Sequence, residues 1–154
     1  MSDQRMQDLC DVVRDSLEKL AFLFASADSP REPIPFQDAM TAIASFSGAF
    51  SGYLAVSITP PALTELAANM LGIESDEIEE EHQQDALKEA VNIICGNWLP
   101  VEGGDEAIFH IDAPQFLSPS EAETALTGRK LSILAQMTVE DEPCDIYFYR
   151  DDPV

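Results

Sequence analysis

Across residues 8–27, Leu9, Val12, Val13, Leu17, Leu20 and Phe24 recur at helical spacing with Asp11, Arg14, Asp15 and Glu18 between them, which predicts an amphipathic helix. Pro30, Pro33 and Pro35 then deny any helix and predict an extended connector. Beyond it the period changes. Residues 41–46 are small and apolar, and across 53–59 Leu54, Val56 and Ile58 alternate with Ala55 and Ser57, so two strands of a hairpin are expected. Gly48 and Gly52 lie in the link between them and mark a turn. Thr59 as cap, Pro60 and Pro61 in the first turn, a stripe of Leu63, Leu66, Ala67, Met70 and Leu71, and Gly72 as the stop predict the next helix.

Six of the eight residues in 74–81 are acidic, which suits the positive N-terminal end of a third helix and is most simply a solvated face. That helix is expected to run to about Trp98, ended by Pro100, Gly103 and Gly104. Three more strands are expected at 107–112, 131–139 and 144–149, with a polar loop at 118–129 before the second of them. The element order predicts an α/β (α+β) fold, helices packed on one face of a largely antiparallel sheet, in one domain over 1–154.

Composition narrows the function classes. The 154 residues carry 8 Lys+Arg against 29 Asp+Glu, a net charge of −21, and at 45% hydrophobic the chain is too apolar for a disordered acidic tail. Such a charge argues against nucleic acid, whose phosphates need clustered cations, and equally against an anionic membrane. No apolar run approaches the roughly 18 residues that would span a bilayer. The first residues, Met1-Ser2-Asp3-Gln4, are acidic and precede no apolar stretch, so a cytoplasmic protein is expected. Cys10, Cys95 and Cys144 are scattered, with no CxxC and no histidine spaced for zinc, and are expected to be buried, inert thiols.

The third helix carries the candidate chemistry. Advancing about 100° per residue places Ala86, Leu87, Ala90, Val91, Ile94 and Trp98 together on a core-facing side. Asp85, Glu89, Asn92 and Gly96 share an arc of about 60° on the opposite side. A glycine here costs a helix roughly 1 kcal/mol relative to alanine, and without a side chain it would let a partner surface approach closely. Polar residues on the outer face of such a helix are the rule, and periodicity goes no further.

The motif Asp85-x-x-x-Glu89-x-x-Asn92, followed by Pro114, resembles the signature of the CheC/CheX/FliY family of chemotaxis phosphatases: Asp or Ser, three residues, Glu, two residues, Asn, then a proline further on. The segment 85–96, with its terminal Gly96, looks like the family's helix, and 46–54 looks like its two-glycine hairpin. The resemblance covers residues 41–114 well and the rest by element order. The stretch from Asn92 to Pro114 is about one residue shorter than usual. CheC-type members carry two such helices in a pseudo-symmetric repeat, whereas here Glu65 to Asn69 reads ExxxN and Glu121 to Thr124 lacks the amide, so a single site of CheX type is expected.

The resemblance implies hydrolysis of the aspartyl phosphate of a phosphorylated CheY-type response regulator. Asn92 would orient the attacking water and Glu89 would pair with the partner's active-site lysine, with Asp85, Gly96 and Pro114 touching the partner. It implies that this chain binds no cofactor, that Mg²⁺ belongs to the response regulator, and that the chain forms a homodimer joined through its sheet. An alternative of another class is a non-catalytic module that docks on a response regulator or the flagellar switch. Other chemistries are less supported. His110 and Asp112 would share a strand face, but the second histidine, His82, falls in the acidic run, and no nucleophile-elbow motif accompanies them.

Overall fold

The computed structural model describes residues 2–127 and 131–151. Its helices are α1 (Ser2–Ala21), α2 (Pro60–Leu71), α3 (Glu80–Gly103) and α4 (Pro119–Leu126). Its strands are β1 (Ala25–Ala27), β2 (Met40–Gly48), β3 (Ser51–Ile58), β4 (Phe109–Ile111), β5 (Gln115–Leu117), β6 (Ile133–Val139) and β7 (Glu142–Asp151). All seven strands form one antiparallel sheet in the order β1-β6-β7-β3-β2-β4, with β5 also pairing β2.

Strand alternation divides the side chains between two faces. Leu54, Val56 and Ile58 of β3, Ile146 and Phe148 of β7, and Ala135 and Met137 of β6 are buried in one cluster with Leu9, Val13 and Leu17 of α1, Leu63 and Leu66 of α2, and Leu87, Val91, Ile94 and Trp98 of α3. The three long helices therefore cover one face, as the hydrophobic pattern requires. On the other face Tyr53, Ala55 and Tyr147 pack with Ala122 and Leu126 of α4. The expected hairpin is present, with Phe46 opposite Gly52. A Cβ at Gly52 would lie 1.9 Å from the Tyr149 carbonyl oxygen, so only glycine lets β7 pair there.

Four expectations are corrected. The first helix ends at Ala21, not residue 27, because Phe22 turns into the left-handed region at φ 57. From there Leu23 and Ala25 are buried while Phe22 and Phe24 face solvent, a strand-like alternation that leads into β1. The loop at 118–129 contains α4, started by Pro119 and by a reciprocal cap in which the Glu121 N–H donates to the Ser118 hydroxyl (3.2 Å) and the Ser118 N–H to the Glu121 carboxylate (2.8 Å). These bonds hold the Glu121 carboxyl below its usual pKa. Residues 128–130 of that loop lie outside the described residues. The third helix passes through Pro100 to Gly103, since Leu99 is buried and Arg5 and Arg150 both pair with the buried Glu102 of its last turn. Finally, Thr59 does not cap α2 through its side chain. Its hydroxyl donates to Glu142 at 2.6 Å, while Gly72 ends the helix in the left-handed region as expected.

The proline-rich connector is anchored by charge. The Arg31 guanidinium donates to Asp28 (3.1 Å), to Asp145 (2.8 Å) and to the Met137 carbonyl (3.0 Å), and the Ile34 N–H donates to Asp145 at 2.7 Å. Asp145 is fully buried on the second face of the sheet. Burial alone would lower the pKa of Arg31, but its hydrogen bond with Asp28 and the charge of Asp145 hold it above the ordinary value.

Candidate active site

The helical wheel of α3 is realised in three dimensions. Ala86, Leu87, Ala90, Val91, Ile94, Cys95, Trp98 and Leu99 are buried, and Asp85, Glu89, Asn92 and Gly96 are exposed on the other side. The wall facing them comes from a break in the sheet edge. Strand β4 pairs with β2 in the register Phe46 to Ile111, and β5 in the register Ile43 to Gln115. Asp112, Ala113 and Pro114 thus lie opposite only Ala44 and Ser45, a one-residue bulge. Proline suits this position because it has no N–H to give to the ladder. Asp112 keeps the edge attached through its N–H, which donates to the Ser45 carbonyl at 2.9 Å.

The bulge pushes Ala113 and Pro114 towards α3, and together with Asp85, Lys88, Glu89 and Asn92 they line one shallow, open groove. The structure therefore brings together Asp85, Glu89, Asn92 and Pro114. Gly96 lies one turn beyond, on the same helix face but outside the groove lining, and a Cβ there would meet nothing within 4 Å. Packing within this chain does not demand that glycine, which leaves open approach to the helix.

Lys88 is a groove residue that the reading of the helix face passed over. Its ammonium lies 3.8 Å from Asp85, and it sits one turn before Asn92. The signal was available in its charge and in its i, i+4 relation to Asn92, but it lies at the half-buried margin of the exposed arc.

Among the described residues the Glu89 and Asn92 side chains make no hydrogen bond. The polar residues of the other two helices contrast with this. In α2, Asn69 donates to the Ala21 carbonyl at 2.7 Å and Glu65 accepts from Ser75, while Glu121 of α4 is committed to its cap. Those side chains hold the fold together, whereas Glu89 and Asn92 are presented to solvent.

The remaining candidates are spent elsewhere. His110 Nε2 is 3.2 Å from Asp112 on an exposed strand, and His82 accepts from the Glu79 N–H at 2.9 Å to start α3. Among the described residues no group of three or more His, Cys, Asp or Glu is placed to hold a metal ion. Cys10, Cys95 and Cys144 are free and buried. Burial pushes the Cys95 thiol up to about 12 and raises Cys10 and Cys144 as well, far from the thiolate that reactivity requires.

A sheet backed by three long helices, with its edge bulging towards an exposed α3, is the CheC-like fold. A structure of CheX from Vibrio vulnificus superposes with a TM-score of 0.74 at 15% identity over 98% of this chain and 99% of that one. The CheX of the CheX–CheY–BeF3–Mg²⁺ complex from Borrelia burgdorferi does so with a TM-score of 0.69 at 12% identity over 95% and 97%. FliY from Thermotoga maritima follows at 0.52 and 14% over 94% and 88%. No curated protein matches the sequence. The family model described as chemotaxis phosphatase CheX matches residues 40–138, and the chain belongs to that family.

Proposed function

We propose that this chain hydrolyses the aspartyl phosphate of a phosphorylated CheY-type response regulator, with Asn92 and Glu89 as the working pair. The observation that carries the reading is the placement of these two side chains, exposed and without a hydrogen-bond partner among the described residues, in the open groove that Pro114 also lines. Membership of the CheX family and the CheY complex of the Borrelia relative support it. An acyl phosphate is labile and needs a water placed in line with the bond to the aspartyl oxygen, so positioning and electrostatics supply most of the catalysis. The water oxygen bonds to phosphorus, the bond to the aspartyl oxygen breaks, and the products are the free aspartate and inorganic phosphate.

An amide suits the task because it both accepts from and donates to a water without itself being protonated. Asn92 takes that role. Glu89 pairs with the partner's lysine and sets the register of docking through a charge-assisted contact. Asp85, which pairs with Lys88 at 3.8 Å, touches the partner together with Gly96 and Pro114. Mg²⁺ belongs to the partner. No described helix is long and apolar enough to cross a membrane. A CheY-type response regulator as partner would put the protein in the cytoplasm, acting through the single domain over 1–154.

The test is the decay rate of a phosphorylated CheY-type protein with and without this chain. Accelerated decay is expected, with Glu89→Ala requiring a higher concentration for the same rate. Binding of the phosphorylated partner with an unchanged decay rate would instead establish the alternative, a docking module without catalysis.

Two further outcomes follow from the same reading. The net charge of −21 sets up a repulsive field against an acidic partner, and added salt screens distant repulsion before it weakens a closely packed pair. The association rate should therefore rise between low and physiological NaCl at constant Mg²⁺. A steep fall would identify a basic partner. The second outcome is a two-fold dimer that extends the sheet. The apolar strand at 146–149 lies inside the sheet, so it provides no edge, but β1 covers only Val139, Thr138 and Met137 of β6. No described strand pairs the outer side of residues 133–135, which leaves an edge for a second copy. Light scattering at tens of micromolar should give the mass of a dimer, and a monomeric mass would remove this part of the reading.

A further inference from the structure

The two phenylalanines that follow α1 are nearly free of the core. Phe22 is 80% exposed and Phe24 79%, an unusual placement for large aromatic side chains. Phe22 also occupies the position after a helix where the chain turns left-handed, with its N–H donating to the Glu18 carbonyl at 2.9 Å. Glycine ordinarily stands there because a Cβ is strained in that conformation. The chain holds a bulky aromatic in a strained backbone and points it at solvent.

The strain is local to this end of the molecule. Among the described residues the non-glycine positions with positive φ are Phe22, Glu140 and Asp141. Glu140 and Asp141 form the two-residue turn between β6 and β7, where Asn-Gly is the usual solution. The turn is tied to the aromatic pair: the Phe24 N–H donates to the Glu140 carboxylate at 3.0 Å, and the Glu140 N–H donates to the Phe24 carbonyl at 3.2 Å. Strained residues cluster where a surface is retained for something other than stability.

The electrostatic surroundings select the occupant. Glu18, Glu140 and Asp141 are exposed around the pair, with Lys19 the one cation in the last turn of α1. The C-terminal end of α1 is here, and Asn69 brings α2 to it by donating to the Ala21 carbonyl, two residues before α2 ends at Leu71. Two helix C-termini therefore add their negative dipole ends to the three carboxylates. A second copy of this chain would bring the same carboxylates face to face, and a bilayer would have to bury them. Aromatic faces ringed by negative charge suit an apolar segment bearing Lys or Arg, which can stack on the rings and pair with the rim.

We propose that the Phe22 and Phe24 end is a second docking surface, for a cationic amphipathic segment of another protein. It lies at the β1 edge of the sheet, while the groove at Pro114 lies at the β4/β5 edge, about 24 Å away across five strand spacings. Both surfaces can be occupied together, and this one does not depend on the catalytic reading of the groove.

The experiment titrates a synthetic amphipathic Leu/Lys peptide onto the full chain at physiological salt, with a Leu/Glu peptide as control. Binding of the Leu/Lys peptide alone is expected, weakened at least about tenfold by Phe22→Ser with Phe24→Ser. Phe22→Gly should also weaken binding and yet raise the thermal midpoint by about 2 °C, because it relieves the strained position. A lowered midpoint would show that Phe22 is retained for the fold and would overturn the argument from strain. The pair Asp76→Asn with Glu77→Gln, in the exposed acidic run before α3, should leave the affinity unchanged. An equal loss there would mean that the peptide follows net charge alone. Conversion of a dimer to a monomer by the serine variants, or loss in them of binding to phosphatidylcholine vesicles, would assign the surface to self-association or to a membrane and overturn the proposal.

Discussion

Asn92→Ala is expected to slow dephosphorylation of the phosphorylated partner by on the order of 10² to 10³, with the affinity for that partner largely kept. The size follows from what the amide is proposed to do. A preorganised polar group that aims a water costs nothing to reorient during reaction, whereas a disordered water must find the in-line position by chance. The Asn92 side chain is exposed and makes no hydrogen bond with other described residues, so removing it should change folding stability by less than about 0.5 kcal/mol. Single-turnover decay at saturating protein separates the catalytic effect from a docking defect, which is instead the expected signature of Glu89→Ala. A wild-type decay rate in both single variants would place the site elsewhere.

Arg31→Ala should destabilise the fold by roughly 3–5 kcal/mol, because it leaves the fully buried Asp145 without its compensating charge. For a domain whose whole stability is typically about 5–15 kcal/mol, that brings the chain close to unfolding. Among the described residues only the Ile34 N–H would remain as a partner to the buried carboxylate, and the connector would lose its ties to Asp28, Met137 and Asp145 together. Removing both partners, Arg31→Ala with Asp145→Ala, should cost less than the sum of the single losses. Urea unfolding with an unchanged m-value gives these differences directly. A loss below about 1 kcal/mol for Arg31→Ala would mean that water reaches Asp145 and that the pair is a surface contact in energetic terms.

The presence of a groove beside α3 depends on an irregularity that periodicity does not contain. Three residues, Asp112 to Pro114, stand opposite two on β2, and a bulge is defined by the partner strand as much as by its own residues. The sequence marks Pro114 as a poor ladder member but does not say which neighbour it will meet. For the same reason β5 was not foreseen: a three-residue strand carries too few alternations to be read, and it exists because β2 has an open edge to pair with.

What the sequence determined by itself is the local and periodic part of this protein. The face of α3 that shows Asp85, Glu89 and Asn92 follows from about 100° per residue once Leu87, Val91 and Ile94 must be buried. The β2–β3 hairpin, the stop of α2 at Gly72 and the antiparallel sheet under three helices follow from the same arithmetic of burial, and the net charge was a simple count. Tertiary structure decided where local signals compete. Residues 22–24 continue a helical stripe on paper, yet Leu23 and Ala25 gain more by entering the core beside β6, so the helix yields at Phe22 and leaves two aromatics outside. Pro100 should end α3, yet Leu99 in the core and Glu102 between Arg5 and Arg150 hold the last turn on. The connector reads as unstructured between prolines until Arg31 finds Asp145, a carboxylate 114 residues away. In each case the deciding partner is distant in sequence, and burial or pairing with it outweighs a propensity of about 1–3 kcal/mol.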